Sequence, residues 1–218
     1  MYIYYCLEFP VIGHQGEFIM NENEIKARVF LSLAAGRFIC GLCAVTTILF
    51  TAWIIETIGK NGIAVQSIMA TAGAFVLGLL FTNRSVLDYS AKHPYWMLAV
   101  NSATFVVDGL VILLYGDAFP YIVIVSGIIS MLADKSYLQI RKTMTNRAYS
   151  GDELTILNNK LEVVAIVAGI AGSGLAMAVP CTTTWIGVLL LCAVTLLVIA
   201  NYYQIKYLLL LQPKEDDK

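Results

Sequence analysis

The residue best placed to do chemistry in this chain is Asp108, a carboxylate inside the apolar run "NSATFVVDGLVILL". At membrane depth an ionised carboxylate is costly unless it is paired, hydrated or protonated, and burial disfavours its charged form. Two functional roles suit it: a proton-coupling acid or a group that recognises a cation. A packing role also suits it, with the carboxyl hydrogen-bonded to Ser102, Thr104 or another helix. Arg37 lies near the start of a different apolar run. Its head either snorkels to the interface or reaches into the bundle, and anchoring is the simpler reading. Glu56, towards the far end of that run, reads as an interfacial acid.

Other chemistries are poorly supplied. His14 and His93 are the only histidines, and the sequence has no H-E-x-x-H, no G-x-S-x-G and no Cys/His cluster of ligand spacing. Catalysis is therefore not expected, nor is a metal or cofactor. Cys40 and Cys43 form a C-x-x-C inside an apolar segment, where buried thiols pack as small hydrophobes. The string Gly169-Ile-Ala-Gly-Ser-Gly174 is no phosphate loop, because it lies within a span and no P-loop lysine follows it. Gly169, Gly172 and Gly174 instead provide small residues that let helices approach closely in lipid.

These residues must be positioned by membrane helices. Of the 218 residues, 59% are hydrophobic and 13% charged, against roughly a quarter charged in soluble domains. So few polar groups cannot cover a soluble surface, and the formal net charge of −1 gives no basic field for nucleic acid. A spanning helix needs about 20 mostly apolar residues. Six such segments are predicted, over 29–55, 63–81, 95–114, 119–133, 161–179 and 185–205. The fourth is short, and an amphipathic continuation through "DKSYLQI" is expected. Tight separators at 59–62, 116–120 and 180–184 make neighbouring spans antiparallel. The separators at 82–94 and 134–160 are longer and charged, and the second is expected to be the largest loop.

Charge placement orients the whole. With the amino terminus inside, thirteen of the fourteen Lys and Arg fall on the cytoplasmic side and only Lys60 falls outside. Lys and Arg are retained on the side of synthesis, so both termini and both charged loops are expected in the cytoplasm. Trp53, Tyr95, Trp96, Tyr121, Trp185, Tyr202 and Tyr203 fall near span ends, as headgroup anchors do. The expected organisation is a cytoplasmic segment over 1–28, a membrane domain over 29–205 and a charged cytoplasmic tail over 206–218. Residues 1–19 make a poor signal peptide and read instead as translated leader. Gln15-Gly16-Glu17 is encoded by CAR-GGN-GAR, a purine-rich string able to contain a bacterial ribosome-binding site. It stands two codons ahead of Met20 and the plausible start "MNENEIKARVF".

The stretch "NRAYSGDELTILNNKLEVVAIVAGIAGSGLAMAV" resembles the drug-efflux-like branches of the major facilitator superfamily. There a cytoplasmic D/E-L-x-x-x-N element leads into a Gly-rich fifth helix. Asp152, Glu153, Leu154 and Asn158 match the element, and Gly169, Gly172 and Gly174 match the helix. In "GLLFTNRSVLDYSAKHP", Gly78, Asn83 and Arg84 partly match the family's loop signature G-x-x-x-D-R/K-x-G-x-R/K-R/K. The spacing there is one residue longer, the second Gly is missing and the basic cluster is reduced to Lys92. The resemblance implies one six-helix half of a twelve-helix transporter, built as two three-helix inverted repeats. It also implies that Arg84, Asp134, Lys135, Lys160 and Glu162 form a cytoplasmic charge network; solvated loop charge is the plainer reading of the same residues. A lone half supplies one wall of a pathway. The expected function is movement of small apolar or cationic molecules across a bacterial inner membrane, as a homo-oligomer or with a second membrane protein. The alternative is a non-transporting interaction protein: an immunity, exclusion or accessory factor.

Overall fold

The computed structural model describes residues 21–81, 89–90, 92–149 and 151–211. The proposed leader and Arg84 lie outside them. The described elements are helices: α1 (Glu22–Leu42), α2 (Ala44–Thr57), α3 (Lys60–Phe81), α4 (Pro94–Tyr115), α5 (Pro120–Ala148), α6 (Gly151–Ala176) and α7 (Thr183–Leu211). Five stretches are long and apolar enough to cross a membrane: Glu22–Thr57, which joins α1 and α2, and then α4, α5, α6 and α7. With the 22-residue α3 beside them, the protein is an all-helical, multi-spanning membrane protein.

Local chemistry sets the helix boundaries. Asn21 caps α1, its Oδ1 accepting from Glu24 N at 2.8 Å, and this satisfies one of the four orphan amides of a helix start. Asn21→Ala is expected to cost about 1 kcal/mol, seen as faster hydrogen exchange confined to the first turn of α1. Pro94 and Pro120 open α4 and α5, where a missing N–H loses nothing. Gly59 (φ 80°) turns the chain out of α2, and Gly151 (φ 54°) turns it into α6; both occupy left-handed backbone that favours glycine.

Two differences from the sequence reading matter for the site. The first span is interrupted at Cys43, which separates α1 from α2. The segment read as the largest loop is mostly helix: α5 runs to Ala148, and only residues 149–150 separate it from α6. The physical reason is a buried stripe at helical spacing, Tyr137, Ile140, Arg141, Met144 and Thr145. Its packing outweighs the high charge density that suggested a loop.

The chain has two ends in space. At one, here the charged end, the start of α1 meets the starts and ends of its partners. Lys26 Nζ reaches Glu22 (3.0 Å) and Glu153 of α6 (3.2 Å). Arg28 pairs with Glu24 at 2.7 Å and donates to Tyr207 OH of α7, and Tyr149 OH donates to Lys26 O. At the opposite end Thr183 donates to Asp117 and Cys181 to Leu49 O. The main helix contacts are α1 and α2 with α6 and α7, α4 with α5 and α7, and α3 with α5.

Two apolar cores result. One, towards the charged end, holds Val29, Leu33, Leu98, Tyr137, Ile140, Met144, Leu161, Ile205 and Leu208. The other, towards the opposite end, holds Val45, Leu49, Trp53, Ile54, Ile112, Val123, Ile128 and Ile186. Only 17–33% of each span's most apolar window is buried inside the bundle. The outward remainder, with Leu31, Phe75, Leu114 and Ile170 all more than 60% exposed, is far more apolar area than a soluble monomer presents. It suits contact with lipid.

Candidate functional site

Asp108 lies on α4 and is 6% exposed. Its Oδ1 accepts from Ser126 Oγ of α5 at 2.5 Å, so its partner comes from the next span. Ser102 and Thr104 are occupied elsewhere, donating to Leu98 O and Asn101 O. A carboxyl held by a hydroxyl across two spans is partly compensated for its desolvation.

A second polar group gathers beside the first of the two apolar cores. Asn101 of α4, Asp134, Tyr137 and Arg141 of α5, Asn201 of α7 and Cys40 of α1 line one cavity of about 20 Å³. That is room for a single water molecule. Asn101 stands beside the Asp134 carboxylate, and Arg141 and Lys135 act on it as attracting positive charges. Among the described residues, Asn101 Oδ1, Tyr137 OH, Asn201 Oδ1 and both amide atoms of Gln204 are buried without a hydrogen-bond partner. Native interiors leave few such atoms unpaired, and polar groups at membrane depth mark functional pathways by default.

Arg141, only 7% exposed, stands at a boundary. It lines the small cavity and also a larger cleft of about 730 Å³ between α1, α5 and α6. Arg37, Lys142 and Glu162 line that cleft as well, with Leu33, Leu161 and Ile166 on its apolar walls. Just beyond it, burial holds the Tyr149 phenol above its ordinary pKa, with Lys26 pulling the other way.

Four of the five residues that the resemblance groups as a charge network lie among the described residues. Asp134 joins the polar layer, and Lys135 is exposed. Lys160 Nζ lies 5.9 Å from the centroid of Phe30, within cation–π range. Glu162 lines the cleft. Lys26 pairs with Glu22 and Glu153, so the D-E-L element is tied to α1 through Glu153. Of the three glycines, Gly172 meets α1 backbone: a Cβ there would lie 2.7 Å from Leu42 O and 2.9 Å from Gly41 O. A Cβ at Gly169 or Gly174 would meet open space.

Sequence reasoning passed over Asn101, Asn201 and Gln204, isolated polar residues within apolar runs. Their signal was present, since each sits where a spanning helix has no reason to carry an amide. Arg141 was hidden by being counted with loop charges.

The helices and their buried polar layer define the class: a polytopic, largely helical integral membrane protein with an architecture consistent with a transport-like role. No family model matches the chain, and no significant match is found among curated proteins or solved structures.

Proposed function

We propose that this protein forms one six-helix wall of a small-molecule pathway, resembling half of a major facilitator transporter and completed by a second copy or a separate membrane protein. The observation that carries this reading is the polar layer, in which charged and amide side chains from three spans are buried or half-buried at membrane depth beside a cleft of about 730 Å³. Such groups are expensive in lipid and are kept where a pathway needs them.

The pattern of contacts supports the half-transporter form. The main span pairs are first–fifth, first–sixth, third–sixth, third–fourth and second–fourth. Exchanging the first span with the fourth, the second with the fifth and the third with the sixth returns the same set, as two related three-helix units require. The smaller contacts of α2 with α3 and of α5 with α7 fall outside the exchange. In this reading the charged end faces the cytoplasm of a bacterium, following the thirteen-to-one distribution of Lys and Arg. The two units rock about the polar layer, and Asp108 is the group that takes up and releases a proton.

The test uses purified protein in liposomes that enclose a pH-sensitive dye, with candidate solutes added outside. Solute-dependent proton movement is expected, and Asp108→Asn is expected to abolish it. Coupled flux unchanged by Asp108→Asn removes the residue from the mechanism; no flux with any solute removes the transport reading.

The second reading, a non-transporting interaction protein, draws on α6. Only 17% of its most apolar window is buried, and it turns Val163, Ile166, Val167 and Ile170 outward. Cysteine crosslinking from Ile170 in native membrane distinguishes the two: a single foreign partner favours this reading, and a self-crosslink favours a paired transporter.

A further inference from the structure

The large cleft holds an imbalance of charge. Arg37, Arg141 and Lys142 line it, against the single carboxylate of Glu162. Among the described residues, neither arginine makes an ion pair or a side-chain hydrogen bond, whereas Lys26 and Arg28 are paired. Arg141 is more than nine-tenths buried, and Arg37 on the facing helix acts on it as a repelling like charge. Asp134 attracts Arg141 from the small cavity behind it, outside the larger cleft.

Holding a buried guanidinium beside a second one is unfavourable unless something compensates. Two arginines from separate helices that line one space, with Lys142 beside them, supply the forked donors and positive charge that suit a phosphate group. The remaining walls bear on the rest of the ligand. Leu33 of α1, Leu138 of α5 and Leu161 and Ile166 of α6 are apolar, and the volume far exceeds that of a bare phosphate ion.

We propose that this cleft is a binding site for a phosphate-bearing amphipathic molecule, with its anionic head between Arg37 and Arg141 and its apolar part along α1 and α6. Lys142 adds long-range attraction, and Glu162 at the same cleft disfavours molecules of higher negative charge. The same head chemistry is presented by an anionic phospholipid of the bilayer and by a free phosphorylated amphiphile.

Delipidated protein in neutral detergent is studied by native mass spectrometry and by thermal shift, with short-chain phosphatidic acid, short-chain phosphatidylcholine and inorganic phosphate as probes. The same protein is also placed in nanodiscs of phosphatidylcholine with or without phosphatidylglycerol. The expected result is binding of phosphatidic acid in preference to phosphatidylcholine, weakened about tenfold or more by Arg37→Gln and by Arg141→Gln, the loss of one charge-assisted hydrogen bond. Lys60→Gln, remote from the cleft, is expected to leave binding unchanged. Binding in detergent points to a free ligand. Retention confined to phosphatidylglycerol nanodiscs points to a bilayer lipid; both carry the proposal. Arg37 is exposed, so Arg37→Gln keeps the test valid if Arg141→Gln fails to fold. Equal binding by wild type and Arg37→Gln, or no preference for the anionic head, overturns the site. Binding is read at equilibrium with no gradient, so its failure leaves the transport reading standing, and an absence of flux leaves the site standing.

Discussion

Asp134→Leu is expected to destabilise the bundle by about 3 kcal/mol, and the further change Arg141→Leu is expected to recover most of that loss. The argument rests on the company Asp134 keeps. Arg141 is buried, and Asp134 lines the same cavity of about 20 Å³ and attracts it. Removing the carboxylate leaves a guanidinium in a layer that already contains unpaired amides. Removing both charges leaves two apolar side chains beside an apolar core, which is often nearly neutral. The measurement is the denaturation midpoint in mild detergent for wild type, both single variants and the double variant. Additive losses would mean that the two residues do not interact, and the polar layer would then be a set of independent groups.

The second large effect is expected where the first and fifth spans cross. Gly172→Ala should cost about 2 kcal/mol, within the range for forcing extra atoms into a packed contact. The new Cβ would meet Leu42 O at 2.7 Å, Gly41 O at 2.9 Å and Leu42 Cα at 3.0 Å. All three are backbone atoms, so no rotamer change relieves the clash. Gly41→Ala meets the same crossing from the other side, 2.6 Å from Ala168 Cβ and 2.8 Å from Ala165 O, and should cost a similar amount. Gly169→Ala and Gly174→Ala are the controls, because nothing lies within 4 Å of a Cβ at either. They should be neutral or slightly stabilising through helix propensity. Equal losses at all four positions would show that helix flexibility, rather than close approach, explains these glycines.

The membrane class and the approximate spans were legible because long apolar runs leave little choice. The interruption at Cys43 was not, since nothing in "ICGLCAV" breaks an apolar helix from sequence alone. The extension of α5 to Ala148 was legible in principle: Tyr137, Ile140 and Met144 keep helical spacing through the charges. Asp108 stood out from its apolar neighbours, yet its partner Ser126 lies on the following span. Only the register of the α4–α5 pair brings them together, and hairpin register is not written in either segment. The polar layer escaped for a related reason. Asn101, Asp134, Arg141 and Asn201 come from three helices and acquire meaning only through adjacency. Single glycines resist reading in the same way, because Gly172 and Gly174 differ only in which neighbour passes close by.

The pairing of α1 with α6 and α7 has a consequence for how the polypeptide is made. Of the described helices, the first two have as their main partners the last two, so they must wait in lipid while those between are synthesised. At about 5–20 residues per second, the delay between Thr57 and Leu211 is on the order of ten seconds. A mean hydropathy of 2.3, among the highest of the five spans, lets that stretch remain inserted alone during the delay. The salt bridge from Lys26 to Glu153 therefore forms late, when the chain's beginning finally meets its closing third.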